Sequence, residues 1–224
     1  MNAMLSRLAQ LLVPTFGRVR VTTEPGARVP PGSVIVANHT SLADPAVVLA
    51  ALRRCGVEPV VMAAAGLWRA PVLGRVLVRE GHIPVHRGHR RAAEALDHAA
   101  CALADGRSVL MYAEGGIPSR RDAAEAAPLA FRSGLARLVT RTGAPVVPVG
   151  QAGARRITSG GTAKQVAGLV TAPLRRPRLH VHVGRPLELT GDTAARTLQA
   201  HAAVTDAWRT AAARLREPAA YDAA

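Results

Sequence analysis

The sequence predicts a single α/β domain with a mostly parallel or mixed sheet flanked by helices. Two observations predict it. Short apolar runs such as Val34–Ala37, Ser108–Tyr112 and Val146–Val149 alternate with helical patterns of about 10 to 15 residues, the rhythm of strand–helix–strand units. At 224 residues with 49% hydrophobic content, the chain is long enough for one substantial core, and no composition shift marks a second.

Met4, Leu5, Leu8, Leu11, Leu12 and Val13 recur at helical spacing up to Pro14. Residues 1–17 therefore read as an amphipathic helix that either packs on the domain or touches a membrane surface, ahead of a domain over residues 18–224. Arg18 to Thr22 alternates as an edge strand, and Val34 to Ala37 is a short apolar strand running into Asn38 and His39. A helix follows with Asp44 at its N-cap and Pro45 in its first turn. Then come strand Pro59–Ala63, helix Leu73–Val78, strand His82–Val85, helix Ala92–Ala104 and strand Ser108–Tyr112. Helix Leu129–Thr140 stops at Gly143, and strand Val146–Val149 closes at Gly150. Gln151 to Arg178 is polar and poorly periodic and reads as a long surface excursion. Strand Leu179–Val183 and helix Ala194–Arg216 complete the chain. In such a sheet, functional residues gather at the carboxyl ends of the strands.

With 3% aromatics, the core must be aliphatic. The formal net charge is +14 and the pI about 11.6, a field that favours anionic partners. The basic residues are scattered and lack the interleaved aromatics that stack bases, which points away from nucleic acid and toward an anionic membrane surface or an acidic carrier protein. Cys55 and Cys101 are far apart with no Cys-x-x-Cys spacing and read as buried, reduced thiols. Met1 to Phe16 holds one basic residue, Arg7, and no small-residue cleavage pattern, which argues against a secretory signal. No segment approaches the roughly 18 apolar residues of a spanning helix.

Four blocks stand at predicted strand ends: Asn38-His39-Thr40-Ser41-Leu42-Ala43-Asp44, Gly81-His82-Ile83-Pro84-Val85-His86-Arg87, Glu114-Gly115-Gly116, and Val147-Pro148-Val149-Gly150. A hydroxyl is a poor nucleophile at neutral pH and needs a positioned base to react, and histidine has the intrinsic pKa for it. Asp44, opening the next helix, can fold back to orient the His39 ring and stabilise the imidazolium. There is no G-x-S-x-G elbow and no cysteine near the block, so no covalent enzyme intermediate is expected. The histidines at 82, 86 and 89 and the pair His180 and His182 lack acidic or cysteine partners at metal spacing, and no metal is expected.

In this order the blocks resemble the glycerolipid acyltransferases typified by bacterial lysophosphatidate acyltransferase, with their N-H-x-x-x-x-D, G-x-I-x-V-x-R, F-P-E-G-T-R-S and V-P-V segments. The resemblance extends from about Pro31 to Pro186. It implies His39 and Asp44 as catalytic residues and Arg87, Glu114, Gly115, Gly116 and Arg120 as acceptor-binding residues. It also implies no cofactor, acyl-CoA or acyl carrier protein as co-substrate, a lysophospholipid acceptor such as lysophosphatidate, and a cytoplasmic enzyme peripheral on the inner face of the cell membrane. The chain departs from the pattern where Gly116-Ile117-Pro118 replaces Thr-Arg-Ser and Tyr112-Ala113 replaces Phe-Pro. Ile117 stands where a second phosphate-binding arginine is expected, which leaves open a different acceptor, such as a lyso-aminolipid or a specialised metabolite. A basic membrane- or nucleic-acid-binding protein with vestigial blocks is the reading from another class.

Overall fold

The computed structural model describes residues 4–86, 92–118 and 122–215. In chain order the elements are α1 (Met4–Phe16), β1 (Arg18–Thr23), β2 (Val34–Ala37), α2 (Asp44–Arg54), β3 (Val60–Ala64), α3 (Pro71–Arg79) and β4 (Ile83–Val85). They continue with α4 (Ala92–Ala104), β5 (Val109–Met111), α5 (Gly134–Thr142), β6 (Val146–Ala152), α6 (Thr162–Arg175), β7 (Arg178–Val183) and α7 (Thr193–Arg214). One seven-stranded sheet runs in the order β1-β7-β6-β2-β5-β3-β4. Every pairing is parallel except β6 with β7.

β2 lies at the centre, and all four of its residues are fully buried. That is why it reads as an unbroken apolar run rather than an alternation: both faces of a parallel strand are covered. On one face, Ile35 and Ala37 join α1, α2 and Ala172 of α6; on the other, Val34 and Val36 pack with α4, α5 and α7. This three-layer arrangement leaves the loops after β2, β5 and β6 together at one edge.

Several boundaries differ from the sequence reading for identifiable reasons. α1 continues past Pro14 to Phe16, and the Thr15 hydroxyl donates to the Leu12 carbonyl. β6 does not close at Gly150 but runs to Ala152. Gly150 is there because α7 crosses it so closely that a Cβ would lie 2.0 Å from the Ala207 carbonyl carbon, so the glycine serves packing rather than termination. α5 starts at Gly134 instead of Leu129, because the preceding segment is held extended along the site: the Arg132 amide donates to the Ala113 carbonyl and the Leu129 amide to Glu114. The stretch from Gln151 to Arg178 is not a surface excursion. It holds the end of β6, a turn of 3-10 helix at Ala154–Arg156 and the whole of α6, with Gln151 and Arg155 among the most buried side chains. Both cysteines are exposed, not buried: Cys55 caps the C-terminus of α2 and Cys101 lies on the outer side of α4.

Candidate active site

The edge of the sheet beyond β2 is locked before any functional group is placed. The Asn38 side chain exchanges two hydrogen bonds with the backbone of Gln151, its Nδ2 donating to the carbonyl at 3.0 Å and its Oδ1 accepting from the amide at 2.8 Å. Gln151 Nε2 donates to Thr40 Oγ1 at 3.2 Å. The buried Arg155 guanidinium donates to the carbonyls of Thr40, Ala124 and Asp122. Ser41 Oγ, also buried, donates within the cluster formed by the Ala154 and Thr158 carbonyls and the Thr158 hydroxyl. Residues 38–41 therefore have almost no freedom, although they form a loop.

Asp44 is fully buried. It is the first residue of α2 rather than its N-cap, a position that falls to Ala43 without a side-chain capping bond. The carboxylate turns back instead: Oδ2 accepts from the Thr40 amide at 2.6 Å, the Ser41 amide at 2.8 Å and His39 Nδ1 at 3.1 Å. The five-residue spacing of His and Asp is thus the span of one tight loop wrapped around a single oxygen. Burial pushes the Asp44 carboxyl up, while the His39 bond and the two amides pull it down. A carboxylate only accepts, so it fixes the proton on Nδ1 and leaves the Nε2 lone pair of His39 free. The His39 side chain is 12% exposed, so the ring is not sealed inside the fold.

Two further groups from the end of β5 set the ring. Tyr112 lies against His39, ring centroids 4.4 Å apart and tilted by 30°. Glu114 bridges two chain segments, Oε1 accepting from the His39 amide at 2.6 Å and Oε2 from the Leu129 amide at 2.9 Å. Gly115 has a φ of 76°, and the Arg132 side chain lies directly over it, with Nε 2.3 Å from where a Cβ would stand. Gly115 therefore needs both its left-handed backbone and its lack of a side chain. Gly116 follows it in the same loop, while Arg87 and Arg120 lie outside the described residues.

Burial pushes Glu114 up from 4.5 to about 7, against the pull of the Leu129 and His39 amides and the His39 charge, with Asp44 adding to the rise. A carboxyl that holds its proton more tightly folded than unfolded makes stability fall as pH rises from 4.5 toward 7, on the order of 3 kcal/mol for a shift of this size. Glu114→Gln removes that titration, and its amide group faces one of the two backbone donors. Urea midpoints at pH 5 and pH 7.5 should show a lower overall stability for Glu114→Gln but a smaller loss between the two pH values than in the wild type. Equal losses would contradict this assignment.

Three histidines of the two clusters are bonded within the fold, while His89 lies outside the described residues. His82 is buried, its Nδ1 accepting from the Val61 amide and its Nε2 facing Glu80 Oε2 at 3.1 Å, which ties β3 to the turn before β4. His180 Nε2 and His182 Nδ1 each lie 2.9 Å from Thr22 Oγ1, joining β7 to β1. Gln151, Arg155, Ser41 and Tyr112 are the site residues that sequence reasoning missed. Ser41 and Tyr112 lie inside or beside quoted blocks, and Gln151 directly follows one; Arg155 carries no local signal.

A histidine whose Nδ1 is held by a buried carboxylate at the edge of an α/β sheet has the geometry that a general base requires. The chain belongs to the acyltransferase family, whose pattern matches residues 18–151, more than half of its length. No curated protein matches the chain. Among solved structures its fold is like that of PlsC from Thermotoga maritima, a 1-acyl-sn-glycerophosphate (LPA) acyltransferase, at a TM-score of 0.70 and 17% identity over 97% of this chain and 80% of that one.

Proposed function

We propose that the protein transfers a fatty acyl group from acyl-CoA or acyl carrier protein to the free hydroxyl of a lysophospholipid of the lysophosphatidate type. The His39–Asp44 pair carries the reading. His39 Nε2 takes the proton of the acceptor hydroxyl as its oxygen attacks the thioester carbonyl carbon, and Asp44 stabilises the imidazolium formed. The tetrahedral adduct then collapses, the C–S bond breaks, and the proton leaves with the thiol. No group on the enzyme is acylated. The chemistry needs no cofactor beyond the thioester co-substrate.

A phosphate on the acceptor is supported by Arg132. The family pattern places an arginine where this chain has Ile117, which is 36% exposed, yet the Arg132 guanidinium lies over Gly115 in the same loop. A forked cation there can grip a phosphomonoester, with Arg87 and Arg120 as its partners by sequence. Ile117 itself favours a second reading, a less anionic acceptor seated against an apolar wall. Rates of transfer to lysophosphatidate and to a neutral lyso-acceptor separate the two. The first reading expects a clear preference for lysophosphatidate, and Arg132→Ala should raise its KM about tenfold or more, the loss of one charge-assisted pair. Equal rates for both acceptors in the wild type would overturn it.

We read the enzyme as peripheral on the inner face of the cell membrane, a reading supported by its positive charge. Among the described residues no helix is long and apolar enough to cross a membrane.

A further inference from the structure

α6 is nearly all surface. Of its fourteen residues only Ala172 is buried, and the contacts that hold it come from small or polar groups. Gly168 sits so close to the 3-10 turn that a Cβ would lie 2.3 Å from the Ile157 carbonyl oxygen, and the Arg175 guanidinium donates to the carbonyls of Arg156 and Gly168. The large apolar side chains point the other way: Val166, Leu169, Val170 and Leu174 are all exposed, Val170 by 70% and Leu174 by 89%. Their spacing of three and four residues makes one continuous stripe along the helix. An ordinary surface helix turns its apolar stripe inward, so this one is inverted. α6 also packs beside α1, where the Arg176 guanidinium donates to the Pro14 carbonyl, and α1 exposes Leu8, Leu11 and Leu12. Exposed aliphatic groups gathered on two neighbouring helices mark a surface meant to be covered.

We propose that α6 is a bilayer-inserting helix, which lays Val166, Leu169, Val170 and Leu174 into the acyl region of an anionic membrane. This rests on the reading of the protein as a lipid acyltransferase, and it names the surface through which the site meets its acceptor. An aliphatic stripe ringed by cations suits a bilayer: Arg7, Arg176 and Arg178 are exposed around the two helices, in a chain with net charge +14, so the stripe is flanked by cations suited to lipid phosphates. The placement also suits access. The inner side of α6 rests on Ile157, next to Thr158, which is bonded to Ser41 in the His39–Asp44 loop. A helix seated in the headgroup region therefore holds that loop at the membrane surface, where a lysolipid hydroxyl lies.

The test uses the full chain, with Val170→Glu and Leu174→Glu combined and Leu198→Glu on α7 as the control, since Leu198 is likewise exposed. Substitution at these exposed positions should keep the fold, which circular dichroism and Tm check for each protein. Sedimentation with vesicles of phosphatidylglycerol and phosphatidylcholine should show at least a tenfold weaker partition for the double variant and no change for the control. Transfer to a lysolipid embedded in those vesicles should fall in parallel, while transfer to a short-chain, monomerically soluble acceptor should not. Vesicle binding by the double variant equal to that of the wild type would overturn the proposal. So would a wild-type dimer, seen by analytical ultracentrifugation, that the double variant breaks and that does not bind vesicles. A wild type that binds vesicles through α6 but transfers no acyl group to any acceptor would instead overturn the acyltransferase reading and leave the docking face standing.

Discussion

His39→Ala is expected to abolish transfer, lowering kcat by a hundredfold or more, the size of a general-base contribution. Among the described residues no other group is placed to take the proton. Glu114 is near, but both its oxygens are occupied by backbone amides, and Asp44 is buried behind the imidazole with its Oδ2 holding three N–H groups. The backbone at residue 39 is fixed independently of the ring, through its amide bond to Glu114 and the Asn38–Gln151 exchange, so the variant should fold and a lost rate reports chemistry. Release of free thiol from the donor in the presence of acceptor measures it. A folded His39→Ala that kept more than about a tenth of the wild-type rate would remove His39 from the mechanism.

Asp44→Asn should give the second largest loss, also about a hundredfold, without unfolding. The amide oxygen can take the place of Oδ2 and keep the Thr40, Ser41 and His39 bonds, since the other carboxylate oxygen, Oδ1, is buried with no partner and can be replaced by Nδ2. What disappears is the negative charge that stabilises the imidazolium as the proton moves. The loss should therefore fall in kcat rather than KM, while the Tm stays close to that of the wild type. Asp44→Ala is the contrast, because it leaves the two loop amides without an acceptor in a buried site and should lower the Tm as well. A Tm drop in Asp44→Asn as large as in Asp44→Ala would show the charge to be structural rather than catalytic.

The placing of the His39–Asp44 pair was legible in the sequence because a parallel strand covered on both faces must read as an apolar run, and the residues just past its end must lie at the sheet edge. Val34–Ala37 followed by Asn38 and His39 satisfies both conditions. The loop that fixes the pair was less legible. Gln151 and Arg155 look like surface polar residues, and only the return of β6 beside β2 and the turn after it reveal them as buried clamps on Thr40. α6 was hidden by its breakers: Gly160, Gly161, Gly168 and Pro173 punctuate the stretch as a loop would, although Val166, Leu169, Val170 and Leu174 stand at helical spacing. Asp44 shows a subtler limit: Asp followed by Pro fits a helix N-cap, but a carboxylate with three N–H donors preceding the helix has more to gain by turning back.

The central claim is direct, acceptor-dependent acyl transfer at His39. Incubating the wild type with an acyl-CoA or acyl carrier protein thioester, with and without lysophosphatidate, and weighing both lipid and intact protein by mass spectrometry tests it most directly. The account predicts a diacyl product only when acceptor is present, with the protein mass unchanged throughout. A protein that gained the mass of the acyl chain during turnover, or that formed no product with any hydroxyl acceptor, would contradict it.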